Sequence, residues 1–125
     1  MTEDGYLGRG CAPTGSSVGM FESYVLRDNN PDEYHGLSVH KAVDNVNNLI
    51  APALYGMDVT KQQEIDQIMI DLDGTPEKRS LGGNAIYSTS IAVFRAAAEA
   101  LHQTLYQYIA GDTIQTVPVL SLIHI

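Results

Sequence analysis

Between Ser38 and Ala110 the apolar residues return at helical spacing in four blocks, and the first, second and fourth close on explicit stop signals. That periodicity leaves few folds open, because a stripe at three- and four-residue intervals is buried only when a helix packs on another element. The first block opens at Ser38, whose hydroxyl predicts an N-cap, and Val39, Ala42, Val43, Val46, Leu49 and Ile50 share a face until Pro52. The second opens at Thr60, where Gln63 completes a capping-box spacing. Ile65, Ile68, Met69 and Leu72 form its stripe, and Asp73 and Gly74 end it. The third and longest runs from Asn84 to Leu101, rich in alanine, with Ile91, Phe94 and Leu101 directed inward. A short fourth helix covers Leu105 to Ala110 and stops at Gly111.

Upstream of the helices, "GYLGRGCA" reads as a short strand over Tyr6 to Ala12. A lone strand exposes unpaired amides and carbonyls, so the expectation is an incomplete sheet with an open edge. Strand and helices in separate blocks predict an α+β fold. The 125 residues, 44% of them hydrophobic, suit one domain with a core of its own. A net charge of -8 argues against nucleic acid and anionic membrane as partners, since such binding rests on clustered Lys and Arg. Cys11 is alone, which leaves no internal disulfide, fits a reducing cytosol, and reads as a small buried apolar residue. The first ten residues carry neither a basic start nor an apolar run, and no window reaches membrane-spanning length.

Chemistry concentrates in "CAPTGSSVGMFES", where Thr14, Gly15, Ser16, Ser17, Val18 and Gly19 combine hydroxyls with a backbone that can approach a ligand closely. The stretch falls short of a phosphate-cradling P-loop, because Ser16 stands where that motif needs Lys. "IDLDGT" falls out of frame for a calcium loop and reads as a helix terminator and turn. His35, His40 and His102 are scattered without an i, i+4 partner and read as surface residues, not as a metal site. Tyr106 and Tyr108 read as packing residues.

The succession "APTGSSVGMFES", "VLRD", "AVDNVNNLIAPAL", "DQIMIDLDGTPEK", "LGGNAIYSTSIAVFRAAAEAL", "LYQYIAG" and "TVPV" resembles, in order and in spacing, the N-terminal domain of enolase, the phosphopyruvate hydratase family. The resemblance runs from Gly5 to Val119. It implies a small α+β cap, a strand meander followed by helices, on a larger α/β barrel. It also implies that this chain lacks the first two meander strands and the whole barrel. In the family the loop usually written "PSGASTG" closes over substrate and its second Ser gives oxygens to a magnesium ion; that position is Ser17. Thr14, Ser16 and Val18 replace the usual Ser, Ala and Thr, and Val25, Gly83 and "IYSTSIA" depart from the family pattern at packing positions.

What the resemblance implies for function is dehydration of 2-phosphoglycerate to phosphoenolpyruvate in the full-length enzyme, with two magnesium ions and with the Lys base and Glu acid on the barrel. No catalytic residue then lies in this chain. A homodimer or larger assembly in the cytoplasm is implied as well, with a secondary surface or secreted location in bacterial members. The alternative is a binding or scaffold module of enolase descent without catalysis. The expected organisation is an N-terminal-like domain over residues 1–116 and the start of a connection at 117–119. Residues 120–125, "LSLIHI", read as translated sequencing adapter, so His124 is no site residue.

Overall fold

The computed structural model describes residues 1–14 and 17–111. The expected segments at 117–119 and 120–125 lie outside the described residues. A 3-10 turn, Tyr34–Gly36, precedes α1 (His40–Asn45), which runs through a π-helical turn (Val46–Ile50) into α2 (Ala51–Leu54). Then come α3 (Gln62–Asp73), α4 (Gly83–Ala100) and α5 (Leu105–Ala110). Among the described residues there is no β-strand, which overturns the α+β reading and the meander with it.

The physical reason lies in what the extended segments touch. Tyr6 to Ala12 is extended, but it lies along α4 without forming a ladder. Gly8 and Gly10 sit so close to that helix that a Cβ on either would come within 1.8 Å of the Ala92 carbonyl oxygen or 1.9 Å of the Ser88 carbonyl oxygen. Two glycines two residues apart point the same way on an extended chain, and Ser88, Ala92 and Ala96 recur every four residues along one helix face. Small residues on both sides let backbone meet backbone. The Arg95 guanidinium donates to the Arg9 carbonyl at 2.8 Å and fixes the register.

The second extended segment, Ser23 to Asp28, is held by side chain and loop backbone. Tyr24 N–H donates to the Glu77 carbonyl at 2.8 Å, and Gly83 N–H donates to the Tyr24 carbonyl at 2.7 Å. Asn84 then pairs with Leu26 as a strand neighbour would, its Oδ1 accepting from the Leu26 N–H at 3.0 Å and its Nδ2 donating to the Leu26 carbonyl at 3.1 Å. One amide side chain satisfies both groups of a partly buried backbone unit that would otherwise need a sheet or water.

The core forms where α1, the π turn, α3 and α4 meet. Ile50, Ile65, Met69 and Leu81 are its fully buried large side chains, with Ala42 and Ala85 beside them and Leu26, Val46, Leu54, Met57, Ile86 and Val93 packed around. Leu81 and Leu26 come from outside the helices, while the helical stripes read from the sequence supply Ala42, Val46, Ile50, Ile65 and Met69. Their edges do not: Val43, Leu49, Leu72 and Leu101 are each more than two-fifths exposed. At the other end of α4, the Phe94 ring meets Tyr108 of α5 at 5.0 Å between centroids, so Tyr108 packs as expected, whereas Tyr106 is largely exposed. Cys11 is exposed, against the expectation of burial.

Pro52 does not stop the first helix. The preceding turn widens, the Ala51 N–H reaching back five residues to the Val46 carbonyl, and the helix continues to Leu54 past a residue that has no N–H to lose. Thr60 does not cap α3 either, because its N–H and hydroxyl both donate to Asp58 Oδ1, at 2.9 and 2.8 Å. A charged acceptor two residues away outcompetes the helix start. Gly74 ends α3 as expected, in the left-handed region at φ 68°, with its N–H on the Ile70 carbonyl at 3.0 Å.

Asp73 does more than mark that end. It is 4% exposed, and its carboxylate accepts from the Thr75 N–H at 3.0 Å, the Thr75 hydroxyl, and the Leu81 N–H at 2.8 Å. The loop 74–81 is folded around this one group. Burial works against the charge, yet the Thr75 hydroxyl, the Leu81 and Thr75 N–H groups and the nearby Lys78 hold the carboxyl below its ordinary range.

Two expected outcomes follow from these contacts. Gly10→Ala forces the N-terminal segment off α4 and costs about 1–3 kcal/mol, the usual range for overpacking. Hydrogen exchange should then show residues 6–12 losing protection while α3 keeps its own. A folded-state pKa below the unfolded value makes the Asp73 contribution present above about pH 4 and lost as pH falls through the folded value. Asp73→Asn should therefore flatten the acid limb of a pH series of urea melts. Asp73→Ala should cost about 1–3 kcal/mol at neutral pH by leaving the Leu81 N–H unpaired.

Candidate functional site

The hydroxyl and glycine loop spans the gap between the two segments anchored on α4. Its first side leaves Ala12 and its second enters Ser23, so both ends are held by the same helix. Thr14, Ser17, Val18 and Gly19 are all exposed; Gly15 and Ser16 lie outside the described residues. Within the loop, Gly19 N–H donates to Glu22 Oε1 at 2.8 Å and Glu22 N–H donates to the Gly19 carbonyl at 3.3 Å, closing a turn. Val18, Met20 and Phe21 project with exposures of 77, 90 and 95%, so the turn turns apolar side chains outward.

Beneath this loop lies a cleft of about 200 Å³ between Ala12, Thr14 and Val25 on one side and Ala42, Val43 and Ser88 on the other. Small-molecule sites are commonly about 300–1,000 Å³. The described residues form a rim here, not an enclosure. Ser17 offers a hydroxyl and a main-chain carbonyl, both hard oxygens of the kind magnesium takes. These two fit a magnesium octahedron as contributors only, since most of its corners would remain to be filled by other groups.

A second constellation was not legible in the sequence. Asp28, at the end of the second extended segment, accepts from the His40 N–H at 2.6 Å through Oδ2 and from the Lys41 N–H at 2.9 Å through Oδ1. It caps α1 from ten residues upstream of Ser38. The expected cap, Ser38, makes no side-chain bond to the helix; its backbone carbonyl instead accepts from the Asp28 N–H at 2.9 Å. The Lys41 N–H holds the Asp28 carboxyl below its usual range, desolvation opposing it and the His40 N–H, the Ser38 hydroxyl and the His40 charge assisting.

Of the three histidines read as scattered surface residues, all three are exposed, but His40 is not isolated. Its Nε2 lies 3.4 Å from Glu33 Oε2, and one ligand atom each from Asp28, Glu33 and His40 falls within 4.8 Å of the others. The His102 ring meets the Tyr6 ring edge-on, with the Tyr6 hydroxyl 3.4 Å from Nε2. The intervals between Asp28, Glu33 and His40 are five and seven residues and run through no continuous helix or strand, so only the folded loop 29–37 brings them together.

The capping role is testable. Asp28→Ala should lower the melting temperature and speed exchange of the His40 and Lys41 amides selectively, while Asp28→Asn, which keeps one acceptor oxygen, should recover part of the protection.

A family model described as enolase, N-terminal domain, matches residues 1–109. That span takes in both anchoring segments, the loop between them and the described helices short only of the last residue of α5, and so this chain belongs to the enolase family through that family's N-terminal domain.

Proposed function

We propose that this chain is the capping domain of an enolase-type hydro-lyase, an enzyme that removes water from 2-phosphoglycerate to give phosphoenolpyruvate. The observation that carries the reading is the family match across residues 1–109 together with an exposed hydroxyl and glycine loop tethered at both ends to one helix. In this reading the loop, Thr14 to Gly19, swings between an open position and one that covers substrate seated on a separate barrel domain.

Each part of the loop has a task. Gly15 and Gly19 give the backbone its freedom, and Ser17 turns its hydroxyl and carbonyl oxygens toward the site on closure. Thr14 sits at the stem, on the rim of the cleft. Magnesium would supply compensation for the negative charge that develops on the substrate as its carbon-bound proton leaves. The protein's part is to exclude water from the closed site and to hold the Ser17 oxygens where they serve only in that state. The proton donor and acceptor belong to the barrel, so the 125-residue chain alone forms no phosphoenolpyruvate.

The test is a chimera in which residues 1–109 replace the matching domain of an active enolase. Phosphoenolpyruvate formation should return, and Ser17→Ala in the chimera should lower kcat by about 10²-fold, a typical loss for one group acting on developing charge, with the melting temperature unchanged. A well-folded chimera without activity would favour the non-catalytic scaffold reading, and equal turnover of Ser17→Ala at saturating magnesium would remove Ser17 from the site.

A further inference from the structure

Away from the loop, the start of α1 carries a constellation for which the proposed reaction has no use. Its members come from three places: Asp28 from the second extended segment, Glu33 from the loop beyond it, and His40 from the first residue of α1. That loop is tied down. Arg27 donates to the Leu37 carbonyl at 2.6 Å, Glu33 N–H donates to the Asn30 carbonyl at 3.1 Å, and Gly36 N–H donates to the Glu33 carbonyl at 2.9 Å. Asp28 is fixed at its N–H and at both carboxylate oxygens. Each of those oxygens keeps a second lone pair, since a carboxylate offers about four acceptor positions.

The spacing within the constellation suits ligands around a metal as well as it suits an ion pair. A charge-assisted N–H to carboxylate bond closes to about 2.7–2.9 Å, whereas His40 Nε2 and Glu33 Oε2 stand 3.4 Å apart. Bonds of about 2.1 Å from zinc to nitrogen and oxygen give a tetrahedral edge of about 3.4 Å between ligands. The remaining separations are at most 4.8 Å, with Asp28 fixed and the other two side chains left to adjust. Glu33 and His40 have the room, with side chains 47 and 68% exposed.

An independent observation comes from Ser38. It is 4% exposed, and its Oγ completes no hydrogen bond among the described residues. Its backbone lies against the constellation, the Ser38 carbonyl accepting from the Asp28 N–H at 2.9 Å. A buried hydroxyl without a partner is costly, and native structures satisfy such groups with water or an ion. Three protein ligands on a tetrahedral ion leave a fourth corner for water, and that water would give the Ser38 hydroxyl its missing partner.

We propose that Asp28, Glu33 and His40 bind one divalent cation of the borderline class, zinc or cobalt, with Ser38 bonding the water at its open corner. An imidazole in the set selects against magnesium and calcium, which take oxygen ligands. The site is therefore separate from the magnesium chemistry proposed for the loop. Its consequence is structural, since a bound ion would pin the 29–37 loop to the start of α1.

Titration of the 125-residue chain with zinc chloride in a calorimeter should show one saturable site per chain. Cobalt should give the intense visible absorption of a four-coordinate ion. His40→Ala and Glu33→Gln should each weaken zinc binding at least tenfold, while His35→Ala and His102→Ala leave it unchanged. Glu33→Gln lies in an exposed loop and decides the matter if His40→Ala disturbs the helix start. The absence of a saturable site up to millimolar zinc would overturn the proposal. So would unaltered affinity in Glu33→Gln, or loss of binding in His35→Ala or His102→Ala. None of these outcomes depends on enolase activity.

Discussion

The approach of two extended segments to the backbone of α4 is the contact on which the rest of the molecule depends. Gly8 and Gly10 bring Tyr6 to Ala12 against Ser88, Ala92 and Ala96, and Asn84 with Gly83 binds the Tyr24 to Leu26 backbone. Because those two segments are the stems of the intervening loop, the place of Thr14 and Ser17 is set by side chains on a helix seventy residues further along the chain. The same helix turns its other surfaces to α3 and, near its end, to α5 through Phe94 and Tyr108. Both stems of that loop are therefore held by α4.

Two carboxylates do at a distance what local signals do elsewhere. Asp28 caps α1 across twelve residues, and Asp73 organises the 74–81 loop by gathering Thr75 and Leu81. At α1 the ionised group outcompetes the neutral Ser38 hydroxyl nearer in sequence, because hydrogen bonds to a charge are about twice as strong as neutral ones. Asp58 repeats the pattern by taking both donors of Thr60; the Thr60 N–H and hydroxyl hold its carboxyl below the ordinary range. Folding in this acidic chain therefore uses its carboxylates as acceptors for backbone amides, and few of them meet cations.

The cap of α1 also gathers groups that no local repeat would. Once Asp28 is bound to the His40 and Lys41 amides, the His40 ring and the Glu33 carboxylate are drawn to the same corner, with the Ser38 hydroxyl beneath. The loop with Ser17 and this corner are served by the same segment, Ser23 to Asp28, which leaves one and ends at the other. Membership of the enolase family speaks to the first of them; the second rests on this chain's own residues.

Helix existence was legible from the sequence, because a 3.6-residue apolar period has only one cheap way to be buried, and Ala42, Ile50, Ile65 and Met69 lie in the core as their stripes require. The Gly74 stop was legible for an equally local reason, the left-handed geometry at the end of α3. Motif order, too, carried the family. The strand reading of Tyr6 to Ala12 failed because extended geometry is local while its hydrogen-bond partner is not, and here the partner is a helix backbone that two glycines allow close. The helix caps at Ser38 and Thr60 failed because a capping hydroxyl competes with every acceptor and donor the fold brings near, and Asp28 and Asp58 prevailed. Glu33 and His40 could not be paired from their spacing, since a seven-residue interval through a turning loop has no fixed geometry until Asp28, Arg27 and Asn30 tie it down. Periodicity and left-handed stops are properties of the chain; the partners of its polar groups are decided only when distant segments meet.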